Sequence, residues 1–340
     1  MRTAPAFWAR PAGVLADFLL PIGAMWDTAG RVRQALSRPY CPPVPVICVG
    51  NLVAGGAGKT PVAAALASHL AAQGADVHVV ARGYGGRLAG PSRVDPARHD
   101  AAAVGDEALL HAACVPCWVA RDRAAGARAA VAAGADLILL DDGFQNPAVA
   151  KTRSLIVVDA AYRFGNGRII PGGPLREGLA RGLARADALV LLETQPETNP
   201  ADIVKIGRGL PVFVGVLAPL AGRRFAGSRL LAFAGIGRPE KFFAMLRDLG
   251  AVLVGTRAFP DHYPFRAAQI AQLHRDAERG RARLVTTAKD ILRVPPEMRA
   301  GIEVLEIEIC WVDPAALHEF LRPLVISALG NGRSSANPDP

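Results

Sequence analysis

Apolar residues follow three patterns along this chain. Between Val14 and Val32 they recur at three- and four-residue spacing (Val14, Leu15, Phe18, Leu19, Ile22, Met25, Trp26, Ala29, Val32), which predicts an amphipathic helix kinked at Pro21. From residue 44 onward short apolar runs alternate with alanine-rich segments. The runs 44–49, 77–81, 117–120, 137–140, 155–158 and 188–192 read as strands, and their alternation with helices predicts an α/β fold: a mostly parallel sheet with helices on both faces. A second set of strands (230–234, 251–254, 283–286, 303–309), with helices around 240–249 and 267–279, predicts a smaller α/β domain. Prolines, glycines and the Arg223-Arg224 pair mark 211–229 as connecting sequence. The expected organisation is an N-terminal helical segment (1–38), a core (39–215), a linker (216–229), a second domain (230–325) and a polar, disordered tail (326–340).

At 340 residues the length suits two domains, at roughly one per ~150 residues. The formal charge is +9, carried by 34 arginines and only five lysines (Lys59, Lys151, Lys205, Lys241, Lys289) against 30 acidic residues. That excess favours an anionic partner. Aromatics are 6% of the chain and do not interleave with basic residues, so nucleic acid is the weakest candidate beside anionic lipid and a phosphorylated substrate. Arg10 before the N-terminal stripe, and Arg31, Arg33 and Arg38 at its far end, suit a helix lying at a membrane interface; packing on the body of the protein suits it equally. The chain reaches Asp17 before a long apolar run develops, which reads as lacking a secretory leader. The longest charge-free stretch, 39–58, holds four prolines and cannot be a spanning helix. Five cysteines do not make a disulfide framework, and the lone Cys114-Val-Pro-Cys117 pair reads as core rather than as a zinc or redox site. The pattern fixes no oligomeric state.

The candidate chemistry begins after the first strand, in Gly50-Asn-Leu-Val-Ala-Gly-Gly-Ala-Gly-Lys-Thr-Pro61. Glycines let backbone amides converge on phosphates, and the following helix adds partial positive charge. Lys59 reaches the terminal phosphates, and Thr60 suits magnesium. The strict pattern has glycine where this chain has Val53, so Val53, Ala54, Gly55, Gly56, Ala57, Gly58, Lys59 and Thr60 form a variant phosphate loop. The run 137–140 delivers Asp141 and Asp142 at a strand end, where a magnesium ion on those phosphates would lie. Phosphoryl transfer to a hydroxyl also needs a base. Asp106-Glu107 and the Asp261-His262-Tyr263 cluster are the candidates, with Asp106 and His262 meeting across two domains. The Arg82-Gly-Tyr84-Gly-Gly stretch and Pro171 to Glu177 read as polar cleft linings. On these residues alone, a nucleotide-hydrolysing switch and a non-catalytic nucleotide sensor at the membrane remain alternatives to a kinase.

The ordered blocks GNLVAGGAGKTP, RGYGG, VGDE, DDGFQ, FGNGR, PGGPLRE, AGIGRPEKFF, FPDHY and TAKD together resemble the tetraacyldisaccharide 4'-kinase family, from about Trp8 to Leu321. The resemblance implies two α/β/α domains joined by a short β linker. It implies transfer of the γ-phosphate of ATP, with Mg2+, to the 4'-hydroxyl of an acylated glucosamine disaccharide 1-phosphate in lipid A biosynthesis. It places the enzyme at the cytoplasmic face of the inner membrane of a Gram-negative bacterium, touching it through the N-terminal helix. On the matching motifs, Lys59 and Thr60 take the phosphate and magnesium roles, Asp141 and Asp142 the metal carboxylates, and Asp106 with His262 the base. Tyr84, Glu107, Gln145, Arg176 and Glu177 match further active-site positions. A lipid with several acyl chains leaves a bilayer at a cost of ~0.8 kcal/mol per exposed CH₂. Such an enzyme must therefore work at the surface.

Overall fold

The computed structural model describes residues 5–193, 205 and 207–334. Two sheets organise them. The larger has nine strands: β1 (Val46–Gly50), β2 (Val77–Ala81), β3 (Ser92–Arg93), β4 (Cys117–Val119), β5 (Leu137–Asp141), β6 (Arg153–Asp159), β7 (Ala188–Glu193), β8 (Val212–Pro219) and, far along the chain, β13 (Ile307–Trp311). Their spatial order is β13-β8-β7-β6-β1-β5-β2-β4-β3. All neighbours are parallel except the two edges, where β3 runs against β4 and β13 against β8. β1, β2, β5 and β7 are buried along their whole length, as expected for parallel strands covered by helices on both faces. The smaller sheet, wholly parallel, has the order β10-β9-β11-β12 and is built from β9 (Arg229–Ala234), β10 (Val252–Ala258), β11 (Arg283–Thr287) and β12 (Ile302–Leu305).

Most strand predictions hold within a residue or two. The run 251–254 stops four residues short of the end of β10 at Ala258, and β8 lies in the 211–229 stretch expected as connecting sequence. The run 303–309 is two strands in two different sheets: β12 ends at Leu305, and β13 begins at Ile307. Glu306 alone separates them, and its carbonyl accepts the amide of Leu220. The alternation of Leu305-Glu-Ile-Glu-Ile runs unbroken across this crossing, so period alone sees one strand. The boundaries expected at 216 and 325 are corrected with it. β8 runs to Pro219 as a strand of the large sheet, and the chain returns to that sheet from Ile307. The expected disordered tail from 326 is likewise corrected: one helix runs Pro314–Ser334, and only 335–340 of that tail lie outside the described residues. Leu317, Leu321, Leu324, Val325 and Ala328 form its buried stripe against the large sheet's core, at spacings that were present in the sequence.

The N-terminal stripe is two helices, Val14–Phe18 and Leu20–Ala35, rather than one kinked helix. Pro21 falls in the first turn of the second, where a missing N–H leaves no helical bond unmade.

Leu321 is fully buried on the returning helix, whereas its neighbour Arg322 is exposed. Leu321→Ala is expected to lower stability by roughly 2–5 kcal/mol in urea unfolding. Arg322→Ala should leave the midpoint unchanged. A free tail would make the two indistinguishable.

Candidate active site

The phosphate loop spans the turn from β1 to the helix Lys59–Ala71. Asn51, fully buried, donates its side-chain amide to the Val53 carbonyl at 2.7 Å, and the Ala54 amide donates to the Pro174 carbonyl at 2.7 Å. The first half of the loop is therefore stapled to the Pro171–Glu177 stretch: the Val53 side chain is buried, and the Ala54 amide is committed away from any phosphate. Gly55 and Gly56 are exposed, while Ala57 is buried. Gly58 caps the helix at φ 80°, and a Cβ there would sit 2.3 Å from Leu192, so backbone shape and crowding both require glycine. Lys59 and Thr60 open the helix, with Lys59 Nζ 3.8 Å from Asp142 and Thr60 Oγ1 3.4 Å from Asp141 Oδ2.

Asp141 ends β5, and Asp142 turns out of the strand at φ 52°. The two carboxylates have different surroundings. Asp141 is buried; its Oδ2 meets His111 Nε2 at 2.8 Å, and its backbone carbonyl accepts from Arg123 at 3.2 Å. Burial pushes the Asp141 pKa up, but the His111 hydrogen bond and the charges of His111, Lys59 and Arg123 outweigh it and hold the group below the usual carboxylate range. Among the described residues none hydrogen-bonds Asp141 Oδ1, although it is buried. An orphaned carboxylate oxygen beside a threonine hydroxyl fits a magnesium ion, which takes one or two carboxylates and completes its shell with phosphate and water. Asp142 is instead paired with Arg176 at 2.9 Å as well as with Lys59.

Asp106 begins a short helix, Asp106–Ala112, after Gly105. Gly105 is at φ 86°, and a Cβ there would lie 2.5 Å from the Tyr84 carbonyl. This close approach brings the Tyr84 loop against the acidic residues. Across the boundary between the sheets, His262 follows β10 at φ 57° and points Nδ1 at Asp106 Oδ2, 3.2 Å away. The Tyr84 and His262 rings lie 4.9 Å apart. Lys289, on the turn of helix after β11, reaches Glu107 at 3.0 Å and His262 Nε2 at 3.3 Å. Burial pushes the Asp106 pKa up; the His262 hydrogen bond and the charges of Lys289, His262 and Arg293 reverse this, so the group lies below its ordinary value. Asp106 is only 2% exposed, and the His262 side chain 13%.

Gln145, Arg176 and Glu177 form one network. Gln145 donates to the Asn51 carbonyl at 2.9 Å and to Glu177 at 3.2 Å, and accepts from Arg176 at 3.3 Å. Glu177, buried, also accepts from Arg185 at 2.5 Å. The N-terminal helix joins this network from outside. Trp26 donates to the Arg176 carbonyl at 3.1 Å, Asp27 accepts from the Gly178 amide at 2.9 Å and from Arg181 at 2.6 Å, and Arg33 donates to the Gln145 carbonyl at 2.9 Å.

The structure thus brings together the predicted Lys59, Thr60, Asp141 and Asp142, and separately Tyr84, Asp106, Glu107 and His262. Sequence reasoning missed His111, Arg123 and Arg293, and named Lys289 among the few lysines and within the TAKD block without giving it a role. The scarcity of lysine and the TAKD block were the signals pointing to it. Cys117 is fully buried on β4 and burial pushes its thiol up, in accord with a core role, while Cys114 is exposed; both thiols are free.

Comparison with known proteins agrees with this geometry. The family model described as tetraacyldisaccharide-1-P 4'-kinase matches residues 15–325. The tetraacyldisaccharide 4'-kinase of Rhodospirillum centenum is 53% identical over 337 residues, covering 97% of this chain and 99% of that protein. The enzyme of the same name from Dinoroseobacter shibae is 51% identical, covering 95% and 98%. Among solved structures, LpxK from Aquifex aeolicus in complex with ATP superposes with a TM-score of 0.71 at 25% identity, covering 93% of this chain and 99% of that one. With both sheets inside the matched span and half the residues shared with relatives of equal length, this chain belongs to the tetraacyldisaccharide-1-P 4'-kinase family.

Proposed function

We propose that this enzyme transfers the γ-phosphate of ATP to the 4'-hydroxyl of a tetraacyldisaccharide 1-phosphate, the acceptor its relatives are named for, giving the 4'-phosphorylated product in lipid A biosynthesis. The observation that carries the reading is the 3.2 Å contact between Asp106 and His262, made across two sheets and beside a phosphate loop. A nucleotide sensor without catalysis has no need of such a pair. An alcohol acceptor does, because its proton must leave as the new bond forms.

The residues divide the work as follows. The free backbone of Gly55 and Gly56, the N-terminus of the Lys59–Ala71 helix and the Lys59 ammonium bind the phosphates. Asp141 and Thr60 would hold Mg2+, which when bound supplies positive charge to the transferring phosphoryl group. Asp142, tied to Arg176 and Lys59, keeps both cations pointed into the site. The Asp106–His262 pair, whose more exposed member is His262, takes the proton of the acceptor hydroxyl. As that oxygen bonds to the γ-phosphorus, the bond from phosphorus to the bridging oxygen breaks and ADP leaves. Tyr84, Glu107, Gln145, Arg176 and Glu177 shape and polarise the acceptor side.

The reading extends to location. Among the described residues no helix is long and apolar enough to cross a membrane. The N-terminal helices nevertheless expose Val14 (89%), Phe18 (78%) and Met25 (73%), with Arg31 and Arg33 nearby. This face supports peripheral binding at the cytoplasmic surface of an anionic inner membrane, where the lipid acceptor resides.

Incubating the protein with γ-labelled ATP, magnesium and a tetraacyldisaccharide 1-phosphate in mixed micelles should label the lipid. Asp106→Ala should lower that rate by about 10²–10⁴-fold while keeping ATP affinity, and Lys59→Ala should abolish transfer. Label appearing only as free phosphate would reject the acceptor.

The surface reading has its own test. The double variant Phe18→Glu, Met25→Glu, both at exposed positions, should keep its melting temperature and lose co-sedimentation with anionic vesicles. Unchanged vesicle binding would reject the helix as the anchor.

A further inference from the structure

Arg293 lies outside every motif that describes the phosphate loop, the metal carboxylates or the Asp106–His262 pair, yet it touches that pair. It follows the Ala288–Ile291 helix in the second sheet's half of the molecule, and its side chain is 7% exposed. One edge of its guanidinium is held within its own half: Nη2 donates to Asp290 Oδ1 at 2.5 Å and to the Gly235 carbonyl at 2.9 Å. Asp290 is in turn fixed by the Gly235 amide at 2.9 Å and the Thr287 hydroxyl at 2.6 Å. Beside it, Nε faces across the boundary and lies 3.1 Å from Asp106 Oδ2. Among the described residues none takes a directed hydrogen bond from that Nε, so the contact is an ion pair acting through charge.

We propose that Arg293 is a positioning residue for phosphate transfer, a guanidinium clamped by Asp290 in one half of the molecule that holds Asp106 of the other half charged and oriented toward His262. The proposal rests on the reading of Asp106 and His262 as the base. A fixed partner is needed because Asp106 is buried, and burial of a carboxylate favours its neutral form. A protonated Asp106 could neither accept a proton nor orient His262. Oδ1 is already held by the Glu107 amide at 2.8 Å, which leaves Oδ2 to be shared by His262 and Arg293. Asp290 has a second consequence. Its own carboxyl is pushed up by burial, and Arg293 is what neutralises it, so the two residues form a unit whose spare face points at Asp106.

The charged and titratable groups around Asp106 fix the sign of the pH effect. His262, Lys289 and Arg293 face it with positive or protonatable groups; Asp261, Asp290 and its own neighbour Glu107 are the acids nearby, the last bridged by Lys289. Removing the Arg293 charge raises the proton affinity of Asp106. The acidic limb of the kcat profile must then move to higher pH.

The experiment compares four full-length enzymes in the labelled-lipid assay: wild type, Arg293→Lys, Asp290→Asn, and the double variant Asp290→Asn with Arg293→Gln. The double variant removes the stranded carboxylate, so the fold does not have to bury an unpaired charge. It is expected to lose kcat by about tenfold, with KM for ATP within about twofold, and to move the acidic limb up by on the order of one pH unit. Arg293→Lys should return most of that shift, and Asp290→Asn alone should leave the limb near its wild-type position. A purely structural Arg293 would lower the melting temperature and leave the limb where it is, which overturns the proposal. Asp106→Asn separates this from the parent reading. If that variant is inactive while the Arg293 variants keep the wild-type limb, only the Arg293 role fails. If it transfers at the wild-type rate, the base assignment itself is wrong.

Discussion

Asp106 is a buried carboxylate, and the groups that meet it, His262 and the cations of Lys289 and Arg293, are supplied by the half of the molecule built on the other sheet. An acid in that position has two options: lose its charge, or be met by partners of opposite sign at close range. The fold takes the second. His262 arrives from the end of β10, and Lys289 and Arg293 from just after β11, so neighbouring connections of a parallel sheet converge on one carboxylate. Ligand sites of open α/β sheets lie at the carboxyl ends of strands. Here two such ends face each other, and Gly237 of the smaller sheet approaches Gly56 of the phosphate loop. The Asp159 bridge to Arg238 at 2.8 Å, with Lys241 beside it, ties the same two halves at a second point.

The large sheet has a reason to be closed by strands distant in sequence. β8 would be an exposed edge, and β13 covers it as the chain returns from the smaller sheet. The chain therefore crosses between the halves twice, at Pro219–Arg229 and at Glu306, and the two crossings lie together because the Leu220 amide bonds the Glu306 carbonyl. A paired crossing of this kind is a narrow joint. It sets how the smaller sheet sits on the larger without a broad shared core, and it leaves the charged contacts at the site to register the two halves.

What the sequence disclosed follows from how each element is encoded. Strands buried on both faces are continuous apolar runs, and β2 was legible to the residue. The phosphate loop and the Asp141-Asp142 step were legible because glycine, lysine and acid occur there at spacings that few other structures require. The β12–β13 crossing was not, since Glu306 keeps the alternation that a single strand would have. His111 and Arg123 were invisible for a different reason. Neither carries a local motif, and its meaning lies in Asp141, 30 and 18 residues away. Arg293 is one of 34 arginines, and nothing local distinguishes it. Composition helped in the opposite case, where five lysines made Lys289 conspicuous.

The N-terminal helices carry the last step of this logic. Their outer face is apolar and exposed, yet their inner face is spent on the network around Arg176 and Gln145. Trp26 holds the Arg176 carbonyl, Asp27 holds the Gly178 amide and Arg181, and Arg33 holds the Gln145 carbonyl. A segment that only anchored the protein would need none of these bonds, and a segment that only packed on the body would not leave Phe18 and Met25 in water. Both faces together fit the proposed role of a plate between a lipid surface and the Gln145–Arg176–Glu177 network. Arg176 then continues the connection inward, through Asp142 to Lys59 at the phosphate loop. Under the proposed function, the order of contacts from apolar face to phosphate loop is the order in which a membrane-held acceptor headgroup would meet the enzyme.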